Sequence, residues 1–154
     1  NGDLKNAYAG ISFGSLSVLD AITLLADATY GLYRHDENTF FEKMNVYFAG
    51  KGEATELADY TQPLQDLATV YEGKMSENAY GKCIDWIAKA LTYEMVVPTR
   101  VRLLMMMGDC LKNTGETAKA KQSYNQAFIA SAGIENKAEM KQLQQMIQQS
   151  LQGL

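Results

Sequence analysis

The sequence predicts an all-α fold built from antiparallel helix hairpins. Apolar residues recur at intervals of three and four along most of the chain, which is the spacing of amphipathic helices. Only two prolines occur in 154 residues, so long segments are free to be helical. The apolar fraction of 47% and the charged fraction of 21% are typical of a soluble globular protein. We therefore expect a single helical domain over 1–154.

The first periodic segment predicts a helix at Leu16–Tyr33. Ser15 or Ser17 is placed to cap its start, and Gly31 with the polar run 34–36 is expected to end it. The apolar positions that follow the helical spacing are Leu16, Leu19, Ile22, Leu25, Ala26 and Thr29 or Tyr30.

A second helix is predicted at Asn38–Phe48, before the glycines of 50–52. Together the two helices form a predicted hairpin at 15–50. We expect an aromatic stripe to be the hydrophobic centre of this hairpin, namely Phe40, Phe41, Tyr47 and Phe48.

Two prolines divide the remaining sequence. Because proline suits the first turn of a helix and disfavours helix in the preceding residue, a helix is predicted to start near Pro63. Ser76 or Asn78 begins its partner, and Pro98 marks the next break. Further helices are predicted at about 99–113, 117–131 and 136–152.

The two central hairpins show internal similarity. A step of 37 residues aligns Leu67 with Leu104, Cys83 with Ala120, Ile87 with Tyr124 and Ala90 with Ala127. Because one helix hairpin cannot bury both of its apolar faces, such similarity indicates hairpins that stack on one another.

Small and apolar residues fall at fixed places in 101–134: Leu104, Met107, Gly108, Leu111, Gly115, Ala120, Tyr124 and Ala127. In this spacing the segment resembles a tetratricopeptide (TPR) repeat, and 64–97 resembles a degenerate copy. Gly108 and Ala120 would let the two helices approach closely, and Tyr124 would fill the space behind them.

The resemblance implies a short right-handed superhelix with a capping helix at 136–152. In this family the first helix of each repeat lines a concave groove that receives an extended peptide or a partner's helix. The residues that the resemblance places in this groove are Arg102, Met105, Asp109, Lys112 and Asn113. Because they mix charges of both signs, the basic clamp of TPR proteins that bind carboxylate tails is not reproduced. The chain is thus predicted to be a binding scaffold.

Few residues could support catalysis or metal binding. His35 is the single histidine and lies in a polar segment, and no Glu-x-x-His pair occurs. Cys83 and Cys110 fall on predicted packing positions, where a thiol behaves as a small hydrophobe. We therefore predict no catalytic residue, no metal site and no cofactor.

Charge and hydropathy restrict the partners. The net charge of −4 and the pI near 5.0 disfavour nucleic acid, and no apolar run reaches the length of a membrane span. A protein or peptide partner is therefore expected. In 136–152 an apolar stripe runs among glutamines and predicts a cap, with self-association of the chain as the alternative.

The context of the chain stays open. About the last hundred residues resemble TPR tails on some secreted bacterial thioredoxin-family proteins, which implies a tail of a larger protein, and the bacterial periplasm as an alternative to the cytoplasm. The start at Asn1, without methionine, also suggests a fragment or a processed product. A third hypothesis, a regulator that binds a small ligand, requires a closed apolar pocket between 15–50 and the repeats.

Overall fold

The structure is a computed structural model that describes residues 13–72 and 75–154, and within these ranges it is all-helical without a β-strand. This confirms the predicted fold class at the level of secondary structure. The described helices are α1 (Val18–Tyr33), α2 (Glu37–Lys51), α3 (Leu57–Tyr71), α4 (Glu77–Ala90), α5 (Val97–Asn113), α6 (Thr117–Ser131) and α7 (Lys137–Gln152), with one 3₁₀ turn at Gly52–Ala54. Asn1, from which processing was inferred, lies outside the described residues.

The helices belong to two compact units. Helices α1 to α3 lie in the first unit, which ends at Glu72, and helices α4 to α7 lie in the second. The segment 64–97, predicted as a degenerate repeat, spans this division, since it begins inside α3 and includes α4.

In the first unit, α1 and α2 form the predicted hairpin. Ser17 caps α1 by accepting a hydrogen bond from the backbone N–H of Asp20, and Asp36 caps α2 in the same way. Gly31, expected to end α1, instead lies inside the helix. A Cβ at Gly31 would lie 3.1 Å from the side chain of Thr39, so this glycine lets the two helices approach closely.

The buried side of α1 differs from the apolar stripe of its sequence. Small residues face the core, since Ala21 and Ala28 are buried together with Leu32. By contrast, Leu19 is 55% exposed and Tyr30 is 65% exposed. The predicted aromatic centre is confirmed on α2, where Phe40, Phe41, Met44 and Tyr47 are buried and Phe48 is half-buried.

The predicted helix start near Pro63 is wrong. Helix α3 begins six residues earlier, at Leu57, and Pro63 lies within it. The backbone N–H of Glu56 donates a hydrogen bond of 2.7 Å to the Asp59 carboxylate, which stabilises the first turn at that point. This start, together with the burial of Leu64 and Leu67, outweighs the unfavourable effect of one internal proline.

In the second unit, the predicted helices agree closely with the structure. Ser76 caps α4 and Asn136 caps α7, each through its side chain. Helix α6 has the predicted bounds, and Pro98 lies in the first turn of α5. Gly115 has a φ of +82° in the turn between α5 and α6, where glycine is favoured. The core residues of this unit include Val101, Leu104, Leu111, Ala120, Tyr124, Ala127, Leu143 and Ile147.

Candidate functional site

The hairpin of α5 and α6 has the close packing that the sequence predicts. A Cβ at Gly108 would lie only 2.5 Å from Cε1 of Tyr124, so the ring occupies the space that a larger residue would need. Ala120 and Ala127 are fully buried, and Tyr124 is 1% exposed. The small residues therefore allow close contact between the two helices, with the Tyr124 ring packed into it.

The Tyr124 hydroxyl connects α6 to α5. It donates a hydrogen bond to the Asp109 carboxylate on α5, and Ser150 of α7 is near enough to lower its pKa. Burial, followed by the hydrogen bond to Asp109, raises the pKa of Tyr124. Asp109 is exposed as a residue, but desolvation of its carboxylate raises the pKa of Asp109, although the Tyr124 hydroxyl and Lys112 both oppose this shift. The hydrogen bond to Asp109 therefore joins the buried ring of Tyr124 to the polar surface of α5.

Contacts at both ends show that α5 and α7 run in the same direction, side by side. Near their first turns, Arg102 and Glu139 form an ion pair of 2.9 Å. Near their last turns, Nζ of Lys112 lies 3.6 Å from the position that a Cβ would have at Gly153. Helix α6 packs against both of them, so α6 runs antiparallel to α5, and α7 runs parallel to α5.

The five residues predicted for a groove lie on one side of α5. At about 100° per residue they occupy an arc of about 100°. Arg102, Asp109, Lys112 and Asn113 are exposed, whereas Met105 is half-buried and packs against the core. Three of the exposed side chains already have contacts within the unit, because Asn113 donates to the Asp109 carbonyl, Asp109 accepts from Tyr124, and Arg102 pairs with Glu139.

These contacts were not predicted from the sequence. The Arg102–Glu139 pair is separated by 37 residues and the Asp109–Tyr124 pair by 15, so no short motif contains either of them. The internal similarity of the sequence is the one signal for a contact between Arg102 and Glu139. Their separation of 37 residues equals the step that aligns the two central hairpins.

The apolar stripe of α7 packs inside the second unit. Leu143 and Ile147 are buried, Met140 and Leu151 pack against the same core, and Gln144 donates a hydrogen bond of 2.9 Å to the buried Ser131 of α6. Most of the stripe that could have supported self-association is therefore used within the chain.

The cysteines occupy buried positions, as predicted, with Cys83 at 1% and Cys110 at 2% exposure. Cys83 lies on α4 beside Cys110 on α5. Hydrogen bonding between the two thiols, together with burial, raises the pKa of the Cys110 thiol. A thiol with a raised pKa carries little thiolate at neutral pH and is a poor nucleophile.

Other chemical groups are scattered. His35 lies in the turn between α1 and α2, with its ring edge-on to Tyr71 at 5.2 Å. Across 13–72 and 75–154, no three potential ligands among histidine, cysteine, aspartate and glutamate come together to hold a metal. Among the helices that the structure describes, none is long and apolar enough to cross a membrane.

Comparison with protein-family models gives no match, and comparisons with curated proteins and with solved structures give none either.

Proposed function

We propose that the chain is a non-enzymatic scaffold for protein–protein interaction. In this proposal, α5 and α6 form one TPR-like repeat, α7 caps it, and the hairpins stack with the right-handed sense of that family. The partner is an extended peptide or a helix, and it binds the face of α5 that carries Arg102, Met105, Asp109, Lys112 and Asn113.

The observation that carries this proposal is the parallel placement of α5 and α7. Two parallel helices that both pack on α6 leave a shallow surface between them, and its α5 side presents charged and amide groups. Both signs of charge and the half-buried Met105 are available there. Such a surface suits a partner that combines polar groups with one or two apolar side chains.

The ion pair between Arg102 and Glu139 does not prevent binding at this face. Its side chains are 56% and 32% exposed, and pairs of this kind contribute only about 0–1 kcal/mol. A partner carboxylate can therefore replace Glu139 as the contact of Arg102 at little energetic cost.

The experiment is affinity capture with the purified chain, followed by mass spectrometry and measurement of affinities for the captured proteins. Arg102→Ala combined with Lys112→Ala should leave the fold intact, because exposed substitutions usually change stability by within about 0.5 kcal/mol. Partner affinity should fall by about tenfold or more, since hydrogen bonds to charged groups contribute about 1.5–3 kcal/mol.

The matched control is Lys119→Ala combined with Lys121→Ala. It also removes two exposed cations, but from α6. This control should keep wild-type affinity for the same partners. If the α5 variant is folded and retains every captured partner at wild-type affinity, binding at this face is refuted.

A further inference from the structure

The first unit contains a cavity of about 400 Å³ between its three helices. Leu25 of α1 lines one side, Phe40, Met44 and Tyr47 of α2 form the apolar floor, and Asp59 and Asp66 of α3 lie opposite. The exposed residues Leu25 and Ala58 place its mouth at the surface. Sites for small molecules have about this volume and this apolar character.

The two carboxylates of the cavity differ in how they are neutralised. Asp59 accepts hydrogen bonds from Nζ of Lys51 at 2.7 Å and from the Tyr47 hydroxyl at 2.9 Å, so its charge is balanced. Asp66 is half-buried and accepts one from the Gln62 amide at 3.0 Å. Within the described parts of the chain no cation forms a salt bridge with Asp66, and no lysine, arginine or histidine lines the cavity. The cavity therefore has an uncompensated negative charge.

The internal proline leaves one backbone carbonyl of α3 without its regular helical donor. In a regular helix the N–H of residue 63 would donate to the carbonyl of Asp59, but Pro63 has no N–H. The Asp59 carbonyl thus lacks its regular helical donor, and both Asp59 and Pro63 line the cavity. Two hydroxyl groups of the lining already have acceptors, since the Tyr47 hydroxyl donates to Asp59 and the Thr29 hydroxyl donates to the Leu25 carbonyl.

This lining is complementary to a cation that carries several N–H donors and an apolar group. An ammonium donates charge-assisted hydrogen bonds to a carboxylate, and aromatic faces such as those of Phe40 and Tyr47 attract a cation. The apolar group would replace water against Leu25 and Met44. We propose that the cavity between α1, α2 and α3 binds a small organic primary ammonium ion, with its nitrogen at Asp66 and its apolar group on the α2 floor.

The test is isothermal titration of the full chain with 2-phenylethylammonium chloride, and with 2-phenylethanol and 3-phenylpropionate as neutral and anionic probes of similar shape. The ammonium should bind in a 1:1 ratio. The alcohol should bind more weakly by about tenfold or more, because it lacks the charge-assisted contact, and the carboxylate should not bind. Absence of ammonium binding, or equal binding of ammonium and alcohol, would overturn the proposal.

Three variants locate the site. Asp66→Asn removes the charge at a half-exposed position and should weaken ammonium binding by about tenfold or more. Ala58→Leu places a larger side chain at the mouth and should abolish binding. Asp27→Asn, on the exposed part of α1 outside the cavity, is the matched control and should bind as the wild type does. If a folded Asp66→Asn variant binds the ammonium with wild-type affinity, the cavity is not the site.

Discussion

The contact between Gly108 and Tyr124 offers a direct test of how α5 packs on α6. An added Cβ at Gly108 would lie 2.5 Å from one ring atom and 2.7 Å from two others, closer than real Cβ atoms approach. The ring has little freedom to move, because Tyr124 is buried and its hydroxyl is bonded to Asp109. We therefore expect Gly108→Ala to destabilise the second unit, although alanine is the better helix former.

Two opposing effects determine the magnitude. Overpacking of a well-packed core costs about 1–3 kcal/mol, and alanine in place of glycine inside a helix stabilises by about 1 kcal/mol. The net loss for Gly108→Ala is therefore about 0–2 kcal/mol. Gly81 of α4 is the matched control, since a Cβ there meets no atom within 4 Å. Gly81→Ala should accordingly stabilise the same unit by about 1 kcal/mol.

The assay is urea unfolding of both variants, followed by circular dichroism. The difference in free energy of unfolding between Gly81→Ala and Gly108→Ala isolates the overpacking, because both changes have the same effect on helix propensity. It should be about 1–3 kcal/mol. If both variants are stabilised equally, the predicted close approach of α5 and α6 at Gly108 is wrong.

Two further predictions concern the carboxylates of Asp59 and Asp109. Asp59→Asn leaves Lys51, which is 6% exposed, without its counter-charge, and should lower the free energy of unfolding of the first unit by about 3–5 kcal/mol in urea melts. The exposed control Glu42→Gln should change this free energy by within about 0.5 kcal/mol. Equal effects of the two variants would show that the ion pair contributes nothing to stability. Desolvation of its carboxylate raises the pKa of Asp109 above 3.8, so the folded state holds this proton more tightly than the unfolded state does. The stability of the wild type relative to Asp109→Asn should therefore fall as pH rises from 3.8 through the folded pKa. A pH-independent difference would contradict the raised pKa.

The second unit could be predicted well because its local signals agree with one another. Ser76, Asn136 and Gly115 are residues that cap or end helices, and the apolar positions between them have the helical spacing. Ser76 stands at the start of α4 and Gly115 lies in the turn after α5, as predicted, whereas Asn136, predicted as the first residue of the last helix, instead caps it. The groove on α5 stays a prediction, since it depends on the TPR resemblance and not on local signals.

Helix α1 shows why hydrophobic spacing alone can indicate the wrong face. Its large apolar residues, such as Leu19 and Tyr30, form a continuous stripe by spacing, yet Ala21 and Ala28 face the core. The reason lies in the close packing of α1 on α2, where a Cβ at Gly31 would already lie 3.1 Å from the Thr39 side chain, because small residues on α1 allow the two helices to approach closely. A single helix does not contain that information. It depends on which residues its neighbour contributes.

Pro63 shows a different limit of prediction from sequence. Proline does disfavour a helix interior, but other interactions in α3 outweigh this preference. Proline removes one helical hydrogen bond and disfavours an interior position by about 3 kcal/mol. In α3 that cost is offset by the hydrogen bond between Glu56 and Asp59 that stabilises the start of the helix, and by buried residues after the proline, including Leu67. The helix therefore continues, and the Asp59 carbonyl stays without its regular donor beside the cavity. The sequence-based prediction failed at Pro63 because contacts elsewhere in α3 outweigh the local preference of proline, and these contacts also keep Asp59 and Asp66 on one helix that lines the cavity.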